Sequence, residues 1–124
     1  MFTYLCQKYD DYITKKENGR ISMKKEKEIS INFLNLIKIV ENLRDKEKGC
    51  LWCNSQTSET IAKYSLEEAD EVFDAIKKGD NSDICEELGD LLFQVIFHSQ
   101  IKADERKFDI NDVIESINKK MIRR

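Results

Sequence analysis

The sequence predicts an all-α fold, a bundle of four helices, on three observations. Proline is absent and glycine occurs only 4 times, too few turn residues for a sandwich or barrel. Charged residues make up 36% of the chain, a composition that suits helices with solvated outer faces. Apolar residues recur at three- and four-residue intervals over successive stretches joined by short links. At 124 residues the chain has the size of a single domain with one core.

Residues 1–28 show no sustained apolar period and carry the charged runs Lys15-Lys16-Glu17 and Lys24-Lys25-Glu26-Lys27-Glu28. They are read as an N-terminal extension, with a short helix near Tyr4–Ile13, ahead of a helical domain over 29–124. The first bundle helix is predicted over 30–44, where Phe33, Leu36, Ile37, Val40 and Leu43 keep helical spacing. A loop runs from Asp45 to Asn54, and a short helical turn is expected over Thr57–Lys63. The next helix is expected to open at Ser65-Leu66-Glu67-Glu68, which has the form of a capping box. Its stripe is Leu66, Ala69, Val72, Phe73 and Ile76, and Lys77-Lys78-Gly79 suits its carboxyl end. Asp80-Asn81-Ser82-Asp83 starts a third helix over 83–104. The fourth follows Phe108, with Asp109 as cap and Ile110, Val113, Ile114, Ile117 and Met121 as its apolar stripe.

Composition excludes some functions. The formal charge of -3 offers no basic field for phosphate backbones, so nucleic acid is not expected as the main partner. No apolar run reaches the length of a membrane span, and the first residues lack the apolar region of a signal peptide. The reading is a cytoplasmic protein whose cysteines, Cys6, Cys50, Cys53 and Cys85, stay reduced.

The third helix carries the chemistry. From Leu88 to Phe97 it is apolar nearly all round, yet Asp90 and Gln94 interrupt it and share one stripe with Glu87. An ionised acid in such surroundings needs a positive partner, either a metal ion or a basic side chain. The second helix supplies Glu67, Glu68 and Glu71, with Glu68 and Glu71 at an i, i+3 interval, roughly 5–6 Å apart at Cβ. Acid pairs on two neighbouring helices can form an all-oxygen cage that suits Mg2+ or Mn2+. Glu67 alone, or Glu86, would be an ordinary solvated residue.

The pattern Glu67-Glu68-Ala69-Asp70-Glu71 followed by Glu87-Leu88-Gly89-Asp90 resembles the E-E-x-x-E and E-x-x-D motif of the all-α nucleoside triphosphate pyrophosphohydrolases, of the MazG type. The likeness takes in Leu43-Arg44-Asp45, Gly49-Cys50, Trp52, Gln56-Thr57, Leu66 to Ile76, Glu87 to Val95, Phe108-Asp109, Lys120 and Arg123-Arg124, about residues 30–124. The resemblance implies Mg2+-dependent hydrolysis of a nucleoside triphosphate to the monophosphate and pyrophosphate. It implies Glu68, Glu71, Glu87 and Asp90 as metal ligands, with Glu67 either just outside them, behind the ligands, or helping to position water. Lys120, Arg123 and Arg124 would meet the phosphates, and Trp52 would wall the base. Longer members continue with a His-Pro-His segment and a second copy, so this chain resembles the first of their two domains. The family often has Asp where this chain has Cys53 and Lys where it has Asn54.

Other features have plainer readings. Cys50-Leu51-Trp52-Cys53 is a CxxC, but no strand–helix unit flanks it, and the spacing is read as incidental. His98, Phe93, Phe97 and Phe73 are read as packed or interface residues. The third helix is too apolar for one small chain to cover, which predicts a homodimer or higher homo-oligomer. A rival reading is a catalytically degenerate helical module that dimerises and binds nucleotide without hydrolysing it.

Overall fold

A computed structural model describes residues 22–123, and among them the chain is all-α, as its composition predicts. Its helices are α1 (Met23–Leu43), α2 (Leu51–Ser55), α3 (Ser58–Lys78), α4 (Asn81–Asp104) and α5 (Ile110–Arg123). The chain divides into two units. One gathers the described residues up to Asn35 with those from Asn111 onward; the other is Leu36–Ile110. The short helix expected near Tyr4–Ile13, Cys6 and Arg124 lie outside the described residues.

The second unit is organised by the pairing of α3 with α4. At the start of α3 the Thr57 N–H donates to Thr60 Oγ1 at 2.8 Å, and the Thr60 N–H donates to Thr57 Oγ1 at 3.3 Å. This reciprocal box satisfies two of the donors that a helix start leaves free. The box expected at Ser65 and Glu68 is therefore not the helix start; the expected turn and helix are one continuous α3. No glycine or proline between Thr57 and Lys78 interrupts the backbone, and the Ser65 hydroxyl is used elsewhere.

Gly79 ends α3 in the left-handed conformation (φ 79°, ψ 12°), its N–H donating to Ala75 O at 3.0 Å. A Cβ there would meet nothing, so conformation rather than space selects glycine. Asp80 then caps α4, its Oδ1 accepting from the Ser82 N–H at 2.9 Å and the Asp83 N–H at 3.4 Å. α1 starts well before residue 30, because Lys24 to Glu28 are strong helix formers despite lacking an apolar stripe.

The core sits around the second half of α4, where Ile96, Phe97 and Ile101 pack at 2% exposure or less; Val40 and Ile61 are equally buried and Ala75 nearly so. Arg44 locks the loop before α3 to this core. Its Nε donates to Asp104 Oδ2 at 2.9 Å, and its Nη1 donates to the carbonyls of Cys53 (2.8 Å) and Gln56 (3.0 Å). The guanidinium also lies 5.5 Å from the Phe97 ring centroid. Before it enters α2 the chain doubles back tightly. Asp45 Oδ1 accepts from the N–H groups of Glu47 and Lys48, both at 2.8 Å, and these bonds, that from Lys48 foremost, hold its carboxyl below the usual range. A Cβ on Gly49 would collide with the carbonyl oxygens of Asp45, Leu43 and Asn42, so only glycine fits.

The end of α4 has the hydrogen bonds of a Schellman motif: Arg106 N to Ala103 O (3.0 Å) and Lys107 N to Lys102 O (2.9 Å). The left-handed position is taken by Arg106, at φ 61°, where glycine is usual. Arg106→Gly is expected to raise the unfolding free energy by about 0.5–1 kcal/mol. Gly49→Ala should lower it by about 1–3 kcal/mol. Urea denaturation at fixed protein concentration reads both, and an unchanged Arg106→Gly midpoint would remove the strain argument.

Candidate functional site

The pairing of α3 and α4 brings together acids from both helices. Glu68 of α3 and Glu87 and Asp90 of α4 each offer a carboxylate oxygen, and these atoms lie within 4.8 Å of one another. Glu68 and Glu87 are half-buried and Asp90 is exposed. Among the described residues no lysine or arginine forms an ion pair with any of them. The basic side chain that could have neutralised Asp90 is thus not at hand.

The electrostatics follow from that arrangement. Burial pushes the Glu68 carboxyl up, and the charges of Asp90, Glu71 and Glu67 push it further. Burial also raises Glu87, with Asp90, Glu71, Glu68 and Glu86 adding to the effect. Glu71 is exposed and stands outside the close trio, yet it is near enough to act on both raised acids. Of the expected cage, the structure places three carboxylates together and the fourth beside them. Glu67, exposed, flanks Glu68. An all-carboxylate donor set without a cationic partner fits a hard divalent cation, which takes oxygen ligands and whose charge would relieve the repulsion.

Away from the turn, the polar character of the α3–α4 seam continues. Gln94, one turn beyond Asp90, has a buried Oε1 with no hydrogen-bond partner. Ser65 Oγ lies 2.9 Å from His98 Nε2 across the two helices. Burial, with help from the Lys102 charge, lowers the His98 value. His98 is a packed residue as its surroundings in sequence imply; its link to Ser65 was hidden because the two lie 33 residues apart.

Trp52 sits on α2 at 52% exposure, edge-on to Tyr64 with ring centroids 6.0 Å apart and planes at 71°. Tyr64 precedes Glu68 by four residues, about one turn along the same side of α3. The Lys63 ammonium lies 5.1 Å from the Tyr64 ring centroid. Lys120 (half-buried) and Arg123 (exposed) lie on the last turns of α5, in the first unit, where Arg123 Nε donates to Lys119 O at 3.3 Å.

Residues 56–124 match the family model described as the MazG nucleotide pyrophosphohydrolase domain. The chain belongs to this family. The match contains all the clustered acids, whereas Arg44, the CxxC and Trp52 precede it. Similar proteins carry names that agree with the MazG assignment. A nucleoside triphosphate pyrophosphohydrolase of Escherichia coli (strain K12) is 51% identical over 89 residues, 72% of this chain and 34% of that protein. A nucleoside triphosphate pyrophosphohydrolase/pyrophosphatase MazG of Thermotoga maritima is 45% identical over 98 residues, 79% of this chain and 38% of that protein. A nucleoside triphosphate pyrophosphohydrolase of Mycolicibacterium smegmatis is 40% identical over 72 residues, 56% of this chain and 22% of that protein. The chain thus spans between 22% and 38% of these relatives' length.

The raised acids make a test of the cluster without any substrate. Glu68 and Glu87 bind protons more tightly folded than unfolded, so metal-free stability falls as pH rises from the ordinary carboxylate value through the raised ones. Glu68→Gln should therefore raise the melting temperature of metal-free protein at neutral pH and flatten that part of the profile. Mg2+ should stabilise the unsubstituted protein and stabilise Glu68→Gln much less. Thermal melts in chelator and in magnesium read both effects; an undiminished magnesium response in Glu68→Gln would take Glu68 out of the cation site.

Proposed function

We propose that this chain hydrolyses nucleoside triphosphates to the monophosphate and pyrophosphate, with Mg2+ as cofactor and Mn2+ able to replace it. The observation that supports it most is the convergence of Glu68, Glu87 and Asp90 on the two helices of one hairpin, close together and with no cationic partner among the described residues. The names of the Escherichia coli, Thermotoga maritima and Mycolicibacterium smegmatis relatives agree with it.

In this reading Glu68, Glu87 and Asp90 hold the divalent cation, with Glu71 completing the donor set from its position beside them. Mg2+, when bound, would neutralise charge on the phosphates and lower the pKa of a coordinated water. Phosphoryl transfer asks little covalent help from a protein; positioning and charge neutralisation carry it. Glu67, next to Glu68 and exposed, is the group assigned to orienting the attacking water. Lys120, Arg123 and Arg124 hold phosphate oxygens, a task suited to forked or multiple N–H donors. The exposed indole of Trp52, backed by Tyr64, offers an apolar wall for the base. Water adds at the α-phosphorus, the α–β bridging bond breaks, and pyrophosphate leaves.

The proposal extends to assembly and setting. Leu66, Phe73 and Ile76 of α3 and Leu88, Leu92 and Val95 of α4 are each at least 40% exposed. A second copy covering part of this apolar surface is the partner we assign. The setting we assign is the cytoplasm; among the described residues no helix is long and apolar enough to cross a membrane.

The test is to incubate the protein with each nucleoside triphosphate and Mg2+ and to measure pyrophosphate. Pyrophosphate release is expected, and Asp90→Asn or Glu71→Gln should reduce it on the order of 100-fold, the scale of losing one group that stabilises transition-state charge. Helical content should stay intact in both variants. Saturable nucleotide binding without product would favour the non-catalytic module, and orthophosphate alone would indicate cleavage at a different bond.

A further inference from the structure

We propose that Cys50 and Cys53 form a working dithiol, which a low-molecular-weight disulfide converts to an intramolecular disulfide. The two residues occupy the N-cap and third positions of α2. A capping box links these two positions through side chain and backbone, so the CxxC spacing puts both cysteines on one turn at a helix start with no strand needed. The structure shows the two residues in contact: the Cys53 N–H donates to Cys50 Sγ at 3.3 Å. The backbone is clamped on both sides of the pair. The Cys50 N–H donates to Leu43 O at 3.0 Å, and the Cys53 carbonyl accepts from Arg44 Nη1 at 2.8 Å.

The two sulfurs are unequal in the sense that such chemistry requires. Cys53 is buried, at 9% exposure, whereas Cys50 is partly open and borders a shallow cavity of about 290 Å³ shared with Ile39, Asn42, Leu43, Lys48 and Gly49. A reagent reaches Cys50 first, and Lys48 offers a cation to one that carries carboxylates. The hydrogen bond from Cys53 also lowers the Cys50 thiol, while burial pushes Cys53 up to about 11. The nucleophile is thus the accessible sulfur and the resolving group is the buried one. In the first step the Cys50 thiolate attacks one sulfur of R–S–S–R, forming Cys50–S–S–R and expelling RS⁻. In the second, Cys53 gives up its proton, attacks Cys50 Sγ and expels the other RS⁻. The chain loses two electrons and two protons, and the reagent leaves as two RSH.

The full chain would be treated with oxidised glutathione, alkylated under denaturing conditions, digested with trypsin and weighed. Both cysteines fall in the peptide from Gly49 to Lys63, and Cys85 in another. The Gly49–Lys63 peptide is expected to resist alkylation and to be lighter by two hydrogens, with reversal by dithiothreitol. Cys53→Ser should trap glutathione on Cys50, and Cys53→Ala serves if serine disturbs the buried position. Cys50→Ser should leave Cys53 at least about tenfold less reactive than Cys50 in the Cys53 variants. A mixed disulfide persisting on Cys50 in the unsubstituted chain, equal reactivity of the two cysteines, or stoichiometric zinc held by the pair would overturn the proposal. None of these readouts depends on nucleotide hydrolysis.

Discussion

The register between α3 and α4 decides where every acid of the site stands. An α-helix turns by about 100° per residue, so sliding one partner by a single position would carry Glu87 and Asp90 away from Glu68. The register is pinned at both ends of the acid cluster. On one side the Gly79 turn and the Asp80 cap fix how the chain leaves α3 and enters α4. On the other side Ser65 meets His98 at 2.9 Å, a polar bond that a slipped pair would lose. Between these two points the carboxylates are held close without a cation among the described residues, an arrangement that hairpin packing sustains against their repulsion.

A second constraint sets what surrounds the hairpin. Arg44 gathers the end of α1, the carboxyl end of α2 and the end of α4 onto one guanidinium. Arginine presents a rigid fork of donors, so one side chain can hold a carboxylate and two backbone carbonyls at once. Gly49 makes the junction possible by letting three carbonyl oxygens close in where a side chain would begin. Trp52 and the cysteine pair take their positions from the same fold of chain, between the Gly49 turn and the start of α3.

Much of this could be read from the residues. Asp90 inside an otherwise apolar helix announces an unusual need for charge, and Glu68 with Glu71 at an i, i+3 interval announces its counterpart. Spacing along one helix cannot set distances between two, which is why Glu71 falls beside the trio and not within it. The start of α3 was obscured because Ser65-Leu66-Glu67-Glu68 imitates a capping box, while the true box at Thr57 uses a second threonine where glutamate is usual. The early start of α1 carries no apolar period to reveal it, only residues of high helix propensity. Arg44 gave no sign of its role, since its partners lie 9, 12 and 60 residues away and two of them are backbone carbonyls. The CxxC has no strand beside it, but it straddles a helix start, where the Cys50 sulfur accepts from the Cys53 N–H.

The chain has 1 tryptophan, and it lies between the two cysteines of α2. Trp52 is 52% exposed and its ring meets Tyr64, one turn before the first clustered acid. All indole emission from this chain therefore arises at one spot, with no background from a buried core fluorophore. Solvent relaxation, quenching by a nearby sulfur and stacking against an aromatic ligand each alter emission in a distinct way. The protein carries its own optical reporter, placed where the α2 corner meets the approach to the acidic hairpin.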